Sequence, residues 1–101
     1  MATTFKGYES TGITTSTVVY TTPALTTSTA IGMTVANTSA STATVSVMKN
    51  LAYLVKNAPV PVGGALVVIG GDQKTVLETG STLTVVGSDT VDVVLSVMEQ
   101  A

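Results

Sequence analysis

The feature that most constrains the fold is the abundance of β-branched residues, which recur in alternation with polar ones. Threonine and valine together make up more than a third of the 101 residues. Branching at Cβ disfavours the helix and suits a pleated surface. In AIGMTVA the residues Ile31, Met33 and Val35 point to one side of an extended chain, and TATVSVM alternates in the same way. Such alternation is typical of strands with one buried face.

The alternating segments and the turn residues between them predict a row of short strands. We expect strands over residues 4–9, 14–20, 28–36, 42–48, 65–69, 74–78, 83–87 and 91–98. LAYLVK (51–56) is predicted as a strand or as one helical turn, and NAPVPVGG (57–64) as an extended connection because of its prolines. About eight short antiparallel strands predict an all-β fold, a single small β-sandwich that is jelly-roll-like or immunoglobulin-like.

The prediction divides the chain after residue 13. Residues 1–13 are expected to contain an N-terminal arm and the first strand, with the first dozen residues able to lie across a neighbouring subunit, and residues 14–101 to form the sandwich domain. The expected core consists of the alternating apolar residues: Ile31, Met33, Val35, Val45, Val47, Leu66, Val68, Val76, Leu83, Val85, Val93, Leu95 and Val97.

The glycine pairs Gly63-Gly64 and Gly70-Gly71 raise three alternatives: a phosphate loop, a membrane segment, or turns between strands. A phosphate loop needs G-x-x-x-x-G-K-[ST] between a strand and a helix, whereas Gly71 is followed by Asp72 and a β-branched segment. The longest uncharged apolar stretch is shorter than the roughly 20 residues of a membrane helix. The glycines are therefore predicted to be hairpin corners, and no membrane partner is expected.

The sequence offers little for catalysis or cofactor binding. Cysteine and histidine are both absent, which removes thiolate ligands, the commonest metal ligand and the commonest general base. The carboxylates show no spacing that selects a pair, and they are expected at solvated turns and edges. A calcium site near Gly70, Gly71 and Asp72 lacks the Asp-rich loop that calcium favours. We expect no catalytic residue, no metal, no cofactor and no enzyme activity.

Charge is scarce and unevenly distributed. The only cations are Lys6, Lys49, Lys56 and Lys74, which are scattered along a chain of net charge −2, so direct nucleic-acid binding is not expected. Between residues 10 and 48 there is no charged residue, although exposed sheet edges are normally guarded by charge or proline. Charged residues form 10% of the chain, against about a quarter in ordinary proteins. This scarcity predicts a homo-oligomer whose neighbours cover much of its surface.

Four segments carry a resemblance to a known group. They are TSTVVYTTPA, AIGMTVANTS, APVPVGGALVVIGGDQKTVLETGSTLTVV and VDVVLSVMEQ. In this order they resemble small virion structural proteins of tailed bacteriophages, of the kind met in cyanophage genomes, from about residue 14 to the end. One departure is VMKNLAYLVKNA, which is shorter than the loop-containing middle of that group, so any partner contact made by such a loop is in doubt.

The resemblance implies a β-sandwich located in the virion and made in the host cytoplasm. Such a protein would self-associate and dock on other virion proteins, either the major capsid protein as cement or decoration or the proteins of the neck and tail. It carries no catalytic residues to transfer. The alternative is a carbohydrate-binding or adhesin-type module of a fibre, which would need a row of exposed aromatics. The four aromatic residues Phe5, Tyr8, Tyr20 and Tyr53 form no evident stacking platform.

Overall fold

A computed structural model of the chain describes residues 3–70 and 74–101. Within those residues the chain forms strands and no helix. The strands are β1 (Thr3–Ile13), β2 (Thr17–Thr21), β3 (Thr27–Asn37), β4 (Ala43–Lys49), β5 (Ala52–Val60), β6 (Ala65–Ile69), β7 (Thr75–Leu77), β8 (Thr82–Gly87) and β9 (Val91–Gln100). In this described part of the chain, no helix is long and apolar enough to span a membrane.

The strands form two antiparallel sheets. The first has the order β1-β9-β3-β6, with the short β7 also paired to β3, and the second has the order β2-β8-β4-β5. Successive strands change sheet, apart from the β4–β5 hairpin and the pair β6 and β7, which follow one another along β3. This nesting of strand pairs is the order of a jelly roll. The prediction of an all-β sandwich is therefore confirmed, in its jelly-roll form and not its immunoglobulin-like form.

Branched aliphatic side chains fill the space between the sheets, as the alternation predicts. In β9 the odd-numbered residues are all buried and face the second sheet. Most of the predicted core residues are buried: Met33, Val35, Val45, Val47, Leu83, Val85, Val93, Leu95 and Val97. The interior is completed by Ile13, Tyr20, Ala30, Ala43, Val60, Ile69, Leu77 and Val91.

Two predicted core residues are wrong because the register of β3 overrides the local pattern. Val76 is 52% exposed, and its neighbour Leu77 is buried in its place. The three residues of β7 take their facing from β3, where Ser28 pairs with Leu77. On β3 itself the pairing with β9 shifts register between Ala30 and Gly32. As a result Ala30 faces the core. Ile31 is left half-buried.

The edge strand β6 only partly covers its apolar residues. Leu66 and Val68, both predicted to be core, are half-buried and pack against the core from its rim. They are not enclosed because β6 pairs with β3 on one side and borders only β5 of the opposite sheet on the other. Full burial in this strand is reached only at Ile69.

The turns differ from the predicted hairpin corners. Gly63 has a φ of +72°, a region that favours glycine, and the Gly64 N–H donates to the Pro61 carbonyl at 2.9 Å. This turn joins β5 to β6 in the opposite sheet, so it is a corner between layers and the hairpin prediction is wrong. The hairpin turn lies instead between Lys49 and Ala52. Gly71 and Asp72 lie outside the described residues.

The segment predicted as a strand or a helical turn is a strand. LAYLVK supplies the start of β5, which continues through Pro59 to Val60, further than the predicted extended connection. Asn57 has a φ of +52° where the pairing of β4 with β5 changes register. The proline is tolerated because β5 lies at the edge of its sheet.

The sandwich is elongated, with extents of 45 × 23 × 21 Å, and the strands run along its length. Residues 22–26, 50–51 and 78–81 connect strands at one end, which we call the Leu pole. Residues 14–16, 38–42, 61–64 and 88–90 connect strands at the other end, which we call the acidic pole. Thr3 pairs directly with Gln100, so both ends of the described chain meet at the Leu pole.

The residues predicted as an arm form a strand of the first sheet. In this single chain β1 pairs with β9 from Thr3–Gln100 to Ile13–Val91, with a register shift between Ser10 and Ile13.

Candidate assembly surfaces

The outward face of the first sheet carries exposed apolar side chains in two rows. In β9 the even-numbered residues point outward, and strand pairing aligns them with outward residues of β1, β3, β6 and β7. Val94 is 57% exposed. We call the apolar members of these rows the outer patch: Phe5, Val67, Val76, Val94 and Met98. Exposed apolar surface gathered on one face is typical of a contact site.

A furrow of small residues separates the two rows of the outer patch. Gly7, Ser96 and Gly32 lie side by side on β1, β9 and β3. A Cβ added at Gly7 or Gly32 would meet no atom closer than 4.0 Å, so the backbone does not require glycine at either position. Glu9 and Asp92 carry the charges of this face, and both lie toward the acidic pole.

The sheet edges are guarded unequally. Among the described residues, β1 is one edge of the first sheet and β6 with β7 forms the other, while β2 and β5 are the edges of the second sheet. β1 contains Lys6 and Glu9, and β5 contains Lys56 and Pro59 together with two register shifts, all of which hinder edge pairing. β2 (TVVYT) and β6 (ALVVI) contain neither charge nor proline.

The positions of the edge strands limit the prediction that the uncharged segment forms unprotected sheet edges. The uncharged segment between residues 10 and 48 includes β3 and β4, which are interior strands paired on both sides. Their lack of charge reflects burial within a sheet. Unguarded edges exist at β2 and β6, on opposite flanks of the sandwich.

The Leu pole presents two fully exposed leucines on loops that are tied together. Leu25 is 91% exposed and Leu51 is 94% exposed. Leu25 has a φ of +57°, which is unfavourable for a side chain of this size. The Thr22 N–H donates to the Ser81 carbonyl at 2.9 Å, and the Asn50 N–H donates to the Thr82 carbonyl at 2.9 Å. The loops that carry the two leucines are therefore held in place by backbone hydrogen bonds.

A buried carboxylate joins four strands close to the Leu pole. Glu99 of β9 is 6% exposed, and its Oε2 accepts hydrogen bonds from Tyr20 Oη at 2.6 Å and from Tyr8 Oη at 3.0 Å. Lys6 Nζ lies 3.3 Å from Oε1. Tyr20 Oη is also 2.7 Å from Ser28 Oγ. Because the Tyr20 proton points to Glu99, the Ser28 hydroxyl donates to Tyr20. We call these five residues the Glu99 cluster.

The electrostatics of the Glu99 cluster favour an ionised carboxylate and neutral phenols. The hydrogen bond from Tyr20 holds the pKa of Glu99 below its usual value, ahead of the hydrogen bond from Tyr8 and the charge of Lys6, while burial opposes them. Burial, and then the hydrogen bond to Glu99, raises the pKa of Tyr20 to about 12. Burial also raises the pKa of Tyr8. The two phenol rings lie 5.1 Å apart and screen the carboxylate from water.

Glu9, Glu78 and Asp89 occupy the turns and edges expected of them, whereas Asp92 lies on the interior strand β9. Asp89 lies in the β8–β9 turn, where Oδ1 accepts from the Thr90 N–H at 2.8 Å. Glu78 contacts Lys49 at 3.1 Å on the surface. Among residues 3–70 and 74–101, no three acidic side chains lie close enough to hold a metal ion. Asp72, and with it most of the weighed calcium site, lies outside the described residues.

The sequence interpretation missed Glu99, which it placed with the solvated carboxylates. A signal was present, because Glu99 continues the alternation of Val91, Val93, Leu95 and Val97 onto the inward face. Its partners could not be predicted, since Tyr8 and Tyr20 lie 91 and 79 residues away in the chain.

The aromatic residues do not form a platform for sugars. Tyr8 and Tyr20 belong to the Glu99 cluster between the sheets. Phe5 is exposed on the outward face of the first sheet, and Tyr53 is exposed on the second sheet, where it pairs with Met48. The two exposed rings therefore face away from each other.

Comparison with known proteins adds support for the fold. No protein-family model matches the chain, and no curated protein shows a significant match. A solved structure of Bacillus endospore appendages, described as a novel family of disulfide-linked pili, is similar with a TM-score of 0.50 and 14% identity. The similarity covers 97% of this chain and 84% of that one. At this identity the likeness concerns the fold, and it places the chain beside another small all-β protein.

Proposed function

We propose that this protein is a structural subunit that self-associates into a repeating assembly and works by binding, without catalysis. The observation that carries the proposal is the outer patch, a cluster of exposed apolar side chains on the outward face of the first sheet, together with the edges β2 and β6, which contain neither charge nor proline. A monomer in water would expose both to edge pairing and aggregation. In an assembly, copies of the chain cover them.

The low charge of the molecule supports this proposal. Its accessible surface is 5315 Å², and a standard interface covers about 800 Å² of each partner. One such interface would therefore cover about one seventh of the surface. A charged content of 10% suits a subunit that buries several such areas, because permanent interfaces are poor in charge.

We propose the virion of a tailed phage as the place of this assembly, either on the capsid as a cement or decoration protein or at the neck or tail. The support is the resemblance of its segments to phage structural proteins. The pilus subunit with a similar fold is described as disulfide-linked, whereas this chain has no cysteine. Its copies must be held by non-covalent contacts. Electron microscopy of intact particles with a gold-labelled antibody against this protein tests the location. Label on a cellular appendage would refute the proposed location in the virion.

The assembly itself is tested by light scattering on a size-exclusion column. We expect the wild type to elute as an oligomer and Val94→Lys to weaken association at least about tenfold, since a charge would be buried in the interface. Glu9 lies opposite Val94 on β1, so the new lysine gains a partner within the fold and folding should survive.

Thr14→Lys is the matched control, because it adds the same charge on an exposed loop at the acidic pole. A wild-type chain that stays monomeric at about 100 μM, a concentration at which even weak interfaces are populated, would contradict self-association. Equal effects of the two lysines would show that the outer patch is not the contact surface.

A further inference from the structure

We infer that β1 is an exchangeable strand, which in the assembly occupies the groove along β9 of a second copy of this chain and is latched there by Glu99. The inference rests on the self-association proposed above and names one way in which two copies are joined. Its test is separate from the test of the outer patch.

The first observation is that β1 buries few side chains. Of its residues Thr3–Ile13 only Ile13 is buried, and Tyr8 and Ser10 are half-buried. Its neighbour β9 buries alternate residues along its whole length. Elements with few buried apolar contacts separate most readily from the rest of a fold. β1 is also an edge strand with one partner, so its departure breaks only one ladder.

The second observation is that specific polar contacts, all made to one residue, anchor the inward side of β1. Lys6 and Tyr8 both reach Glu99, at 3.3 Å and 3.0 Å. If β1 left, Glu99 would keep Tyr20 but lose two of its three direct partners. A buried carboxylate with fewer donors is costly, and β9 would also expose an unpaired backbone edge. The empty groove is therefore unfavourable and selects for a strand that refills it.

The identity of the occupant follows from the register. A strand that refills the groove must place a cation and a phenol on Glu99 while its backbone pairs with β9 from Thr3–Gln100 onward. The β1 strand of a second copy meets both conditions, because it has the same lysine and tyrosine and the same pairing register. Exchange of an identical element restores every contact, so it is a low-cost route to association.

The third observation is the hinge. Residues 14–16 carry the chain from β1 in the first sheet to β2 in the second, and they are exposed. Gly12, just before this hinge, has a φ of +66°, and no atom lies within 4 Å of a Cβ placed there. Short hinge loops favour exchange, because an extended hinge sends the strand to a neighbour. The hinge lies at the acidic pole, away from the Glu99 cluster.

The absence of cysteine permits a direct test with single-cysteine variants of the full chain. Gly7 and Ser96 are directly opposed on β1 and β9, at a Cα separation of about 4.5–5.5 Å for such pairs, within disulfide range. Gly7→Cys chains are mixed with Ser96→Cys chains, refolded together from denaturant and oxidised. We expect a covalent dimer, resolved on a non-reducing gel, that increases with chain concentration.

Gly32→Cys is the matched control for Ser96→Cys. Gly32 lies in the same row of the same face, but two strands from Gly7 and so about 9–10 Å away, beyond disulfide range. Contact between two outer patches would link Gly7→Cys chains to either partner. Strand exchange links them to Ser96→Cys at least about tenfold more.

A chain carrying both Gly7→Cys and Ser96→Cys completes the design. If it closes its internal disulfide while the mixed chains form no dimer above the Gly32→Cys level, exchange is refuted, and self-association through the outer patch is untouched. If it forms neither an internal nor an interchain disulfide, the register on which exchange depends is wrong and the inference falls with it. The latch is tested with chains that are folded separately and then mixed without denaturant, so that dimer formation requires β1 to leave its own groove. Adding Glu99→Gln should then speed mixed-dimer formation severalfold, whereas Glu78→Gln at an exposed pair should not. Equal rates would remove Glu99 as the latch.

Discussion

The Glu99 cluster predicts that alkaline pH destabilises the protein through Tyr20 in particular. The pKa of Tyr20 is raised to about 12 in the folded state, against about 10 for an unfolded tyrosine. Below pH 10 the phenol keeps its proton in both states and contributes nothing to the pH dependence. Between these values the unfolded chain releases the proton and the folded chain retains it. Stability therefore falls as pH rises from about 10 to about 12.

The magnitude follows from the two pKa values. One unit of pKa difference corresponds to about 1.4 kcal/mol, so this phenol should cost the folded state about 1.4 kcal/mol by pH 11, relative to pH 9. Tyr20→Phe lacks the group. The stability advantage of the wild type over Tyr20→Phe should therefore shrink by about 1.4 kcal/mol over that interval. Titrating groups outside the Glu99 cluster are common to both proteins and cancel in the difference.

Urea unfolding followed by far-UV circular dichroism at pH 9, 10 and 11 measures this difference. A constant gap between the wild type and Tyr20→Phe across this range would refute the raised pKa of Tyr20, and with it the buried position of the phenol beside Glu99.

Three further predictions concern stability. Leu77→Ala should lower the free energy of unfolding by about 2–5 kcal/mol, as expected for a buried leucine, while Val76→Ala changes it by about 0.5 kcal/mol or less; similar costs in urea titrations would place β7 in the other register. Leu25→Gly should raise the unfolding free energy by about 0.5–1 kcal/mol, because glycine adopts a positive φ without strain, and a lower urea midpoint would contradict this. Acid should weaken the fold through Glu99, whose lowered pKa stabilises the protein above the unfolded carboxyl value of about 4.3, a contribution lost as pH falls through the folded pKa. The drop in urea midpoint from pH 6 to pH 3 should be smaller in Glu99→Gln than in the wild type, and an equal drop would argue against this role.

The sequence predicts the strands well because their signal is local. The alternation in VDVVLSVM sets the inward face of β9, and turn residues bound most of the other strands. The errors in the predicted core arise where strand pairing, and not the local sequence, decides which side chains face inward. β7 takes its facing from β3, so Val76 and Leu77 exchange the roles that a local pattern assigns. A register shift at Ala30 does the same to Ile31.

The surfaces depend still more on topology. The absence of charge between residues 10 and 48 is visible in the sequence, but it does not distinguish an interior strand from an edge. The order of the sheets makes β2 an edge and hides β3 and β4. The outer patch gathers Phe5 and Val94, which lie at opposite ends of the chain. Only the folded arrangement places such residues together.

The pairing of Thr3 with Gln100 at the Leu pole gives the molecule a practical use. Because the first and last strands end side by side, guest peptides fused to either end would emerge from the same pole and be displayed together at high density on a multimer. A short linker between those ends would also make circular permutants accessible. New ends opened in the loop of residues 38–42 would then project from the opposite pole, which reverses the direction of display without disturbing a strand.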